Sequence, residues 1–283
     1  MRPSRDDLKG VVELALAEDL GAGDLTACLI DPATHSAAEI VAKESAVLCG
    51  TAWFDEVFRQ LDDSVTTEWL ARDGDRIEAD TKVCMLLGPA RSLLSGERTA
   101  LNFLQTLSGT ATSANRFAAA LRGTDAGILD TRKTLPGLRL AQKYAVRCGG
   151  AHNHRAGLYD AVLIKENHIL AAGSIRKVVE LARLKCSDVL VEIEVETLDE
   201  LRQALATDVD RIMLDDFSDS DLREAVALRN ASPGTRKELE ASGGVDFDSL
   251  RAIAATGVDW ISVGAITKHL RAIDFSMRFK PTE

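Results

Sequence analysis

Apolar positions change period several times along the chain, and each change marks an element. Over residues 6–20 (DDLKGVVELALAEDL), Leu8, Val11, Val12, Leu14, Ala15 and Leu16 have helical spacing. Asp6 and Asp7 favour the positive end of that helix, and Gly21 and Gly23 stop it. Residues 37–49 mix period-two alternation with β-branched side chains and predict one or two strands, and 51–62 (TAWFDEVFRQLD) returns to helical period. VTTEWL (65–70) and TKVCMLLG (81–88) read as strands around an Asp-Gly turn. Residues 92–123 predict two helices, the first capped at Ser95 and separated from the second by a break at Ser108-Gly109. The small residues Ser108, Gly109 and Thr110 suit close packing.

From Gly127 a regular alternation sets in. The apolar runs GILDTR, DAVLIKE, DVLVEIEVE, DRIMLD, KELEAS and VDWISVG are separated by amphipathic helical segments, among them PGLRLAQKYAVRC, with Pro136 suited to a first helical turn. Repeated strand–helix units mean parallel strands with right-handed crossovers. Six in one run favour a closed or nearly closed barrel over a doubly wound open sheet, and no G-x-G-x-x-G follows the first strand.

Strand alternation then sorts the side chains. In VEIEVE, Val191, Ile193 and Val195 pack on outer helices, and Glu192, Glu194 and Glu196 point into the barrel. Arg211, Met213 and Asp215 point inward by the same rule, as do Glu238, Glu240 and Ser242. Buried carboxylates need cations. Glu192, Glu238 and Glu240 are open to a structural salt-bridge role, whereas Glu194 and Asp215, nearer the strand ends, suit a metal or a ribose. All six strands end in polar, charged or glycine residues, at the face where barrel active sites form. Two late ends, Ser242-Gly243-Gly244 and Val263-Gly264-Ala265, expose backbone N–H groups of the kind that cradle phosphate, with Asp246 and Thr267 beginning the helices that follow.

Charge sharpens this picture. The 283-residue chain carries a net −10, yet residues 128–168 hold Arg132, Lys133, Arg139, Lys143, Arg147, Arg155 and Lys165 against Asp130, Asp160 and Glu166. A basic cluster in an acidic protein predicts a local site for a small anion and argues against nucleic acid or an anionic membrane surface as partner. Arg132, Arg155 and Arg98 are candidates to fork onto carboxylate or phosphate. Arg98 is equally open to being a solvated charge, and Lys143 and Arg147 read as a solvated helix face. With 46% apolar residues, no signal peptide and no apolar run near the roughly 20 residues that span a bilayer, a cytoplasmic globular protein is expected. The five cysteines lack a C-x-x-C pair and read as reduced thiols.

LAEDLGAGDLT, SGERTALNFLQTLSGTAT, DTRKTLPGLR, KYAVRCGGAHNHRAGLYD, LIKENH, VEIEVE, IMLDD, LEASGG and VDWISVGAIT, in that order, resemble the nicotinate-nucleotide pyrophosphorylase (carboxylating), or quinolinate phosphoribosyltransferase, family. The resemblance implies an α/β fold: an N-terminal α/β sandwich (1–105, with the tail 270–283 packing back on it) followed by an incomplete parallel α/β barrel (106–269). It implies a homodimer with shared active sites, in which each sandwich covers the partner's barrel mouth. The family's reaction joins quinolinate to phosphoribosyl pyrophosphate (PRPP) with Mg²⁺, giving nicotinate mononucleotide, pyrophosphate and carbon dioxide for NAD biosynthesis.

Residue by residue, Arg132, His154, Arg155 and Lys165 resemble the quinolinate site, with Arg98 reaching in from the partner subunit and Thr131 beside Arg132. Lys133 resembles the group facing pyrophosphate. Glu194 and Asp215 resemble the acids near ribose and Mg²⁺, and Lys133, Lys165, Glu194 and Asp215 form the catalytic set. Ser242, Gly243, Gly244, Val263, Gly264 and Ala265 resemble the 5′-phosphate cradle. Asp216 stands where the family often has Asn, Glu166 where it has Asp, and Ala151 where it has Gly. A nicotinate-type phosphoribosyltransferase and a non-catalytic anion-binding paralogue are the alternatives on this scaffold.

Overall fold

The protein is described by a computed structural model covering residues 4–280. In chain order its elements begin with α1 (Arg5–Leu20), β1 (His35–Ala42), β2 (Ala46–Val47), α2 (Thr51–Leu61), β3 (Thr66–Trp69), β4 (Arg76–Ile77), β5 (Lys82–Pro89) and α3 (Ala90–Ala120). They continue with β6 (Gly127–Leu129), α4 (Arg139–Cys148), β7 (Ala161–Ile164), α5 (Glu166–Ala172), α6 (Ile175–Lys185), β8 (Leu190–Val195), α7 (Leu198–Leu205), β9 (Arg211–Asp215) and α8 (Asp219–Ala231). Last come β10 (Glu238–Ser242), α9 (Leu250–Ala254), β11 (Trp260–Ser262), α10 (Ala265–Lys268) and β12 (Phe275–Phe279). The described chain forms two compact units, residues 4–115, 134–150 and 266–280 in one and 116–133 and 151–265 in the other. The division expected at 105/106 thus falls inside α3, and residues 134–150 group with the first unit.

The first unit is built on a four-stranded antiparallel sheet of order β12-β1-β5-β3. The last strand pairs with the first, Phe275 opposite Ala42 and Phe279 opposite Ala38. Trp53, Phe54, Val57 and Phe58 of α2 are buried in its core with Ile40, Leu86, Leu101 and Leu104. A capping box opens α1, where the Asp7 N–H donates to Ser4 Oγ (3.2 Å) and the Ser4 N–H to Asp7 Oδ2 (2.9 Å).

The structure corrects the expected pair of helices over 92–123: α3 is one helix of 31 residues. Ser95 lies inside it and donates to Asp24 Oδ2 (2.8 Å) instead of capping it. Ser108-Gly109 is a packing notch. Ser108 Oγ bridges the backbone of Cys49, accepting from its N–H at 3.0 Å and donating to its carbonyl at 3.1 Å. A Cβ on Gly109 would sit 2.3 Å from the carbonyl oxygen of Arg271. The roughly 1 kcal/mol that glycine costs a helix interior is small beside the packing this notch permits. Similarly, α4 starts at Arg139, and Pro136 lies in the turn before it, where Gly137 adopts φ +78°.

The second unit carries a six-stranded parallel sheet of order β6-β11-β10-β9-β8-β7. That order is cyclic in sequence, with its only opening between β6 and β7. A lone bridge there joins Leu129 to His152. This is an incomplete α/β barrel. The doubly wound alternative would reverse strand order partway along the sheet, and this sheet does not. The outward residues Val191, Ile193, Val195, Ile212 and Leu214 are at most 1% exposed, as the alternation requires.

Candidate active site

Strand register builds the barrel interior in layers. Glu192 lies opposite Arg211, and Arg211 opposite Glu238. The next layer sets Glu194, Met213, Glu240 and Trp260 side by side, and above it Asp215 pairs with Ser242. Carboxylates therefore rise in tiers toward the strand ends.

The lower tier is an ion-pair network, the structural option for these glutamates. Arg211 donates through Nη2 to Glu238 Oε2 at 2.7 Å and through Nη1 to Glu240 Oε2 at 3.4 Å, with its guanidinium carbon 5.2 Å from the Trp260 ring centre. Burial pushes the Glu192 and Glu240 carboxyls far up, and for Glu240 the neighbouring Glu192 charge adds to the rise. Around neutral pH this pair retains protons that exposed glutamates lose.

Above it, Asp130 organises the loop that carries two predicted site residues. Asp130 is fully buried just past β6, and its carboxylate accepts from the His154 N–H (2.8 Å) and from Asn153 Nδ2 (2.8 Å). The His154 ring is then held at both nitrogens. Nδ1 accepts from the Arg155 N–H (2.8 Å), so the proton belongs on Nε2, which faces Glu192 Oε2 at 2.8 Å. Arg155 follows, with Nη1 3.5 Å from the Ala161 carbonyl. Its pKa is lowered by burial and then by the positive charge of Arg132. Two guanidiniums held close enough to repel one another form a cationic mouth suited to a dianion.

Lys165 and Glu194 form a direct ion pair across the ends of β7 and β8. Lys165 also caps α5, its N–H donating to His168 Nδ1 at 3.0 Å. This short helix buries no residue, so it had no apolar stripe to reveal it in sequence. Lys133 leads to the VGA loop. Its side chain lies along Gly264, where an added Cβ would be 3.3 Å from Lys133 Cδ and 3.4 Å from Thr131 Oγ1. The first strand end and the VGA loop therefore meet. The Val263 N–H donates to the Leu129 carbonyl (2.9 Å), and Ala265 opens α10 directly, so Thr267 lies within that helix and does not begin it. Asp246 precedes α9 in a turn, accepting from the Ser249 N–H at 2.8 Å, and likewise does not begin its helix.

The SGG loop is locked by its neighbour. Asp216 adopts φ +55°, a conformation that short Asp and Asn side chains tolerate, and its N–H donates to the Ser242 carbonyl (3.0 Å). Gly243 has φ +95°, and an added Cβ would be 2.0 Å from Asp216 Oδ1. Gly243→Ala is therefore expected to destabilise the fold by about 1–3 kcal/mol and to raise KM for a phosphorylated substrate. Urea unfolding and steady-state kinetics read the two effects, and wild-type values for both would dismiss the loop as a built cradle.

The second unit thus gathers Thr131, Arg132, Lys133, His154, Arg155, Lys165, Glu194, Asp215 and both glycine loops at its strand ends. Arg98 lies in the first unit, exposed on α3. Lys143 is buried, contrary to its reading as a solvated charge, whereas Arg147 is exposed. Period and charge do not reveal Asp130 and Asn153 as organisers, because neither carries the charge pattern of an anion site. Of the three histidines in the basic stretch, His168 serves the α5 cap and His152 packs edge-on to Trp260 at 5.2 Å.

A parallel barrel whose strand ends collect arginines, lysines, carboxylates and glycine loops defines a class, the barrel proteins that hold phosphorylated or carboxylated small molecules. Residues 24–108 match the quinolinate phosphoribosyl transferase N-terminal domain and residues 110–278 its C-terminal domain. The chain belongs to the quinolinate phosphoribosyl transferase family. It is 42% identical over 271 residues to a probable nicotinate-nucleotide pyrophosphorylase (carboxylating) of Bacillus subtilis, covering 95% of this chain and 92% of that one. Among solved structures, a nicotinate-nucleotide pyrophosphorylase from Francisella tularensis superposes with a TM-score of 0.95 at 47% identity, over 99% of this chain and 98% of that one. NadC from Streptococcus pyogenes gives 0.94 at 36%, over the whole of both chains. No described helix is long and apolar enough to cross a membrane.

Proposed function

We propose that the chain transfers the phosphoribosyl group of PRPP to quinolinate and releases carbon dioxide, forming nicotinate mononucleotide and pyrophosphate. The observation that carries this reading is the cationic mouth: Arg132, Arg155 and Lys165 converge at the strand-end face of a barrel, where Lys133 lies along the VGA loop and the SGG loop ends the next strand. A dicarboxylate and a phosphorylated sugar are both anions, and each finds a separate set of donors.

Arg132 and Arg155 fork onto the quinolinate carboxylates and orient the ring nitrogen toward the anomeric carbon. The His154 ring locks the loop that presents Arg155. Lys165 is neutralised by Glu194 in the free chain, and an incoming carboxylate competes for its ammonium. Lys133 faces the leaving pyrophosphate, and the SGG and VGA loops hold the 5′-phosphate through backbone N–H groups. Glu194 and Asp215 stabilise positive charge that develops on the ribose. After transfer the ring nitrogen is cationic and stabilises the electron pair left on the adjacent ring carbon when its carboxylate departs as carbon dioxide, and one proton then takes the place of that carboxylate.

Glu194 and Asp215 also fit Mg²⁺. They are hard oxygen donors at the ends of adjacent strands, and Mg²⁺ commonly uses one or two carboxylates beside substrate phosphates. When bound, the ion would supply charge neutralisation at the pyrophosphate. Carbon dioxide release from carboxyl-labelled quinolinate, dependent on PRPP, tests the reaction. Consumption of nicotinate with quinolinate ignored would overturn it. Glu194→Gln and Asp215→Asn are expected to raise the Mg²⁺ concentration for half-maximal rate by at least about tenfold; unchanged dependence in both removes them as metal residues.

We also assign the chain to a homodimer in which the exposed Arg98 completes the partner's site. Mixing Arg98→Ala with Arg132→Ala protein should then restore about a quarter of the wild-type sites, because only half of the pairs are mixed and each rebuilds one intact site. No recovery on mixing would place Arg98 outside the site.

A further inference from the structure

Two groups of three potential metal-ligating side chains occur among the described residues, and only one belongs to the barrel interior. The other lies wholly in the first unit. Cys49 Sγ, Cys148 Sγ and a carboxylate oxygen of Asp73 are all within 4.8 Å of one another. Their separation in sequence hides them: Cys49 precedes α2, Asp73 is in the Asp-Gly turn after β3, and Cys148 is the last residue of α4.

Each of the three is anchored from behind. Ser108 Oγ holds the Cys49 backbone at both its N–H and its carbonyl. Asp73 Oδ1 accepts from the Gly50 N–H (3.1 Å) and the Thr51 N–H (3.2 Å), and Oδ2 accepts from Tyr144 Oη (2.9 Å). Cys148 is fixed by the end of α4, because Gly149 packs so closely that an added Cβ would be 2.3 Å from the Ala111 carbonyl oxygen. A carboxylate with its outer hydrogen bonds already made, beside two thiols on anchored backbone, is an arrangement that suits a metal. Cys49 is fully buried and Cys148 only partly, which leaves a path for an ion.

From this geometry we infer that Cys49, Cys148 and Asp73 bind one thiophilic divalent cation of the zinc type, with Tyr144 orienting the carboxylate and water as fourth ligand. Zinc–sulfur bonds of about 2.3 Å in a tetrahedron set two sulfurs about 3.8 Å apart, inside the observed envelope. Binding expels the two thiol protons, so affinity rises with pH. Soft thiolates do not suit Mg²⁺, so this site is chemically distinct from the carboxylates of the barrel. The bound ion joins three segments distant in sequence and raises the melting temperature by mass action.

Cadmium is the probe, added to the reduced, chelator-stripped full chain. One equivalent should produce the thiolate-to-cadmium charge-transfer band and be displaced by zinc. Cys148→Ser, at the partly exposed position, should weaken cadmium binding at least about a hundredfold, and Tyr144→Phe by roughly tenfold. Far-UV circular dichroism checks that both variants fold. A Cys28→Ser/Cys186→Ser double variant should bind as the parent does. The inference is overturned if the parent shows no band at one equivalent, if Cys148→Ser binds unchanged, or if the band follows Cys28 and Cys186.

Discussion

Replacing Arg132 by alanine is expected to lower kcat/KM for quinolinate by roughly a hundredfold to a thousandfold while leaving the fold intact. A guanidinium forking onto a carboxylate makes two charge-assisted hydrogen bonds, each contributing about 1.5–3 kcal/mol. Losing both, at the lower end of that range, removes about 3–4 kcal/mol, and 1.4 kcal/mol is a factor of ten. Stability should respond differently. The charge of Arg132 lowers the pKa of Arg155, so the two cations repel each other in the free chain and the variant loses that repulsion. Unfolding free energies from urea titration should therefore shift by no more than about 1 kcal/mol. Arg132→Lys keeps the charge without the fork and should fall between the two. Parental kcat/KM in a folded Arg132→Ala protein would falsify the dicarboxylate assignment.

The largest effect on stability is expected at Arg211. It is 9% exposed and faces Glu192, Glu238 and Glu240, of which Glu192 and Glu240 are almost fully buried. Arg211→Met conserves much of the volume but leaves these carboxylates without their cation, a loss of about 3–5 kcal/mol near pH 8. The pH dependence has a definite sign. Glu192 is pushed from 4.5 to about 7 and Glu240 from 4.5 to about 8, both chiefly by burial. Raised acids hold protons in the folded state that the unfolded chain has released. Their contribution is complete below the unfolded value and is lost as pH rises through the folded values. Parental stability should thus decline between about pH 5 and pH 8 from this pair, and Arg211→Met should steepen the decline, since its carboxylates lack a counter-charge only when ionised. Urea titrations at pH 5.5 and 8 make the comparison. Equal losses at both would remove the glutamates from the explanation.

Much of this architecture was legible in the residues because side-chain period is a local property. The alternation in VEIEVE assigned Glu192 and Glu194 to the interior, and the register with Arg211 and Met213 bears that out. Lys143 misled because a helix with a basic stripe looks solvated from sequence, and only the packing around α4 buries it. The break expected at Ser108-Gly109 failed for a related reason. Serine followed by glycine weakens a helix locally, but the Cys49 backbone and the Arg271 carbonyl occupy the space those small side chains leave. Helix propensity is worth tenths of a kcal/mol per residue and yields to such contacts.

By itself the sequence determined which residues are apolar in what period, where the strands end, and that cations and glycines gather at those ends. Those facts were enough to predict a barrel with an anion site. The tertiary structure alone decided the pairings: Asp130 beneath the His154 loop, Lys165 against Glu194, Asp216 over Gly243, and Cys49 with Cys148 and Asp73. The physical reason is distance along the chain. Period and propensity act over a few residues, whereas hydrogen bonds and ion pairs form at 2.5–4 Å between groups that only the closed fold brings together.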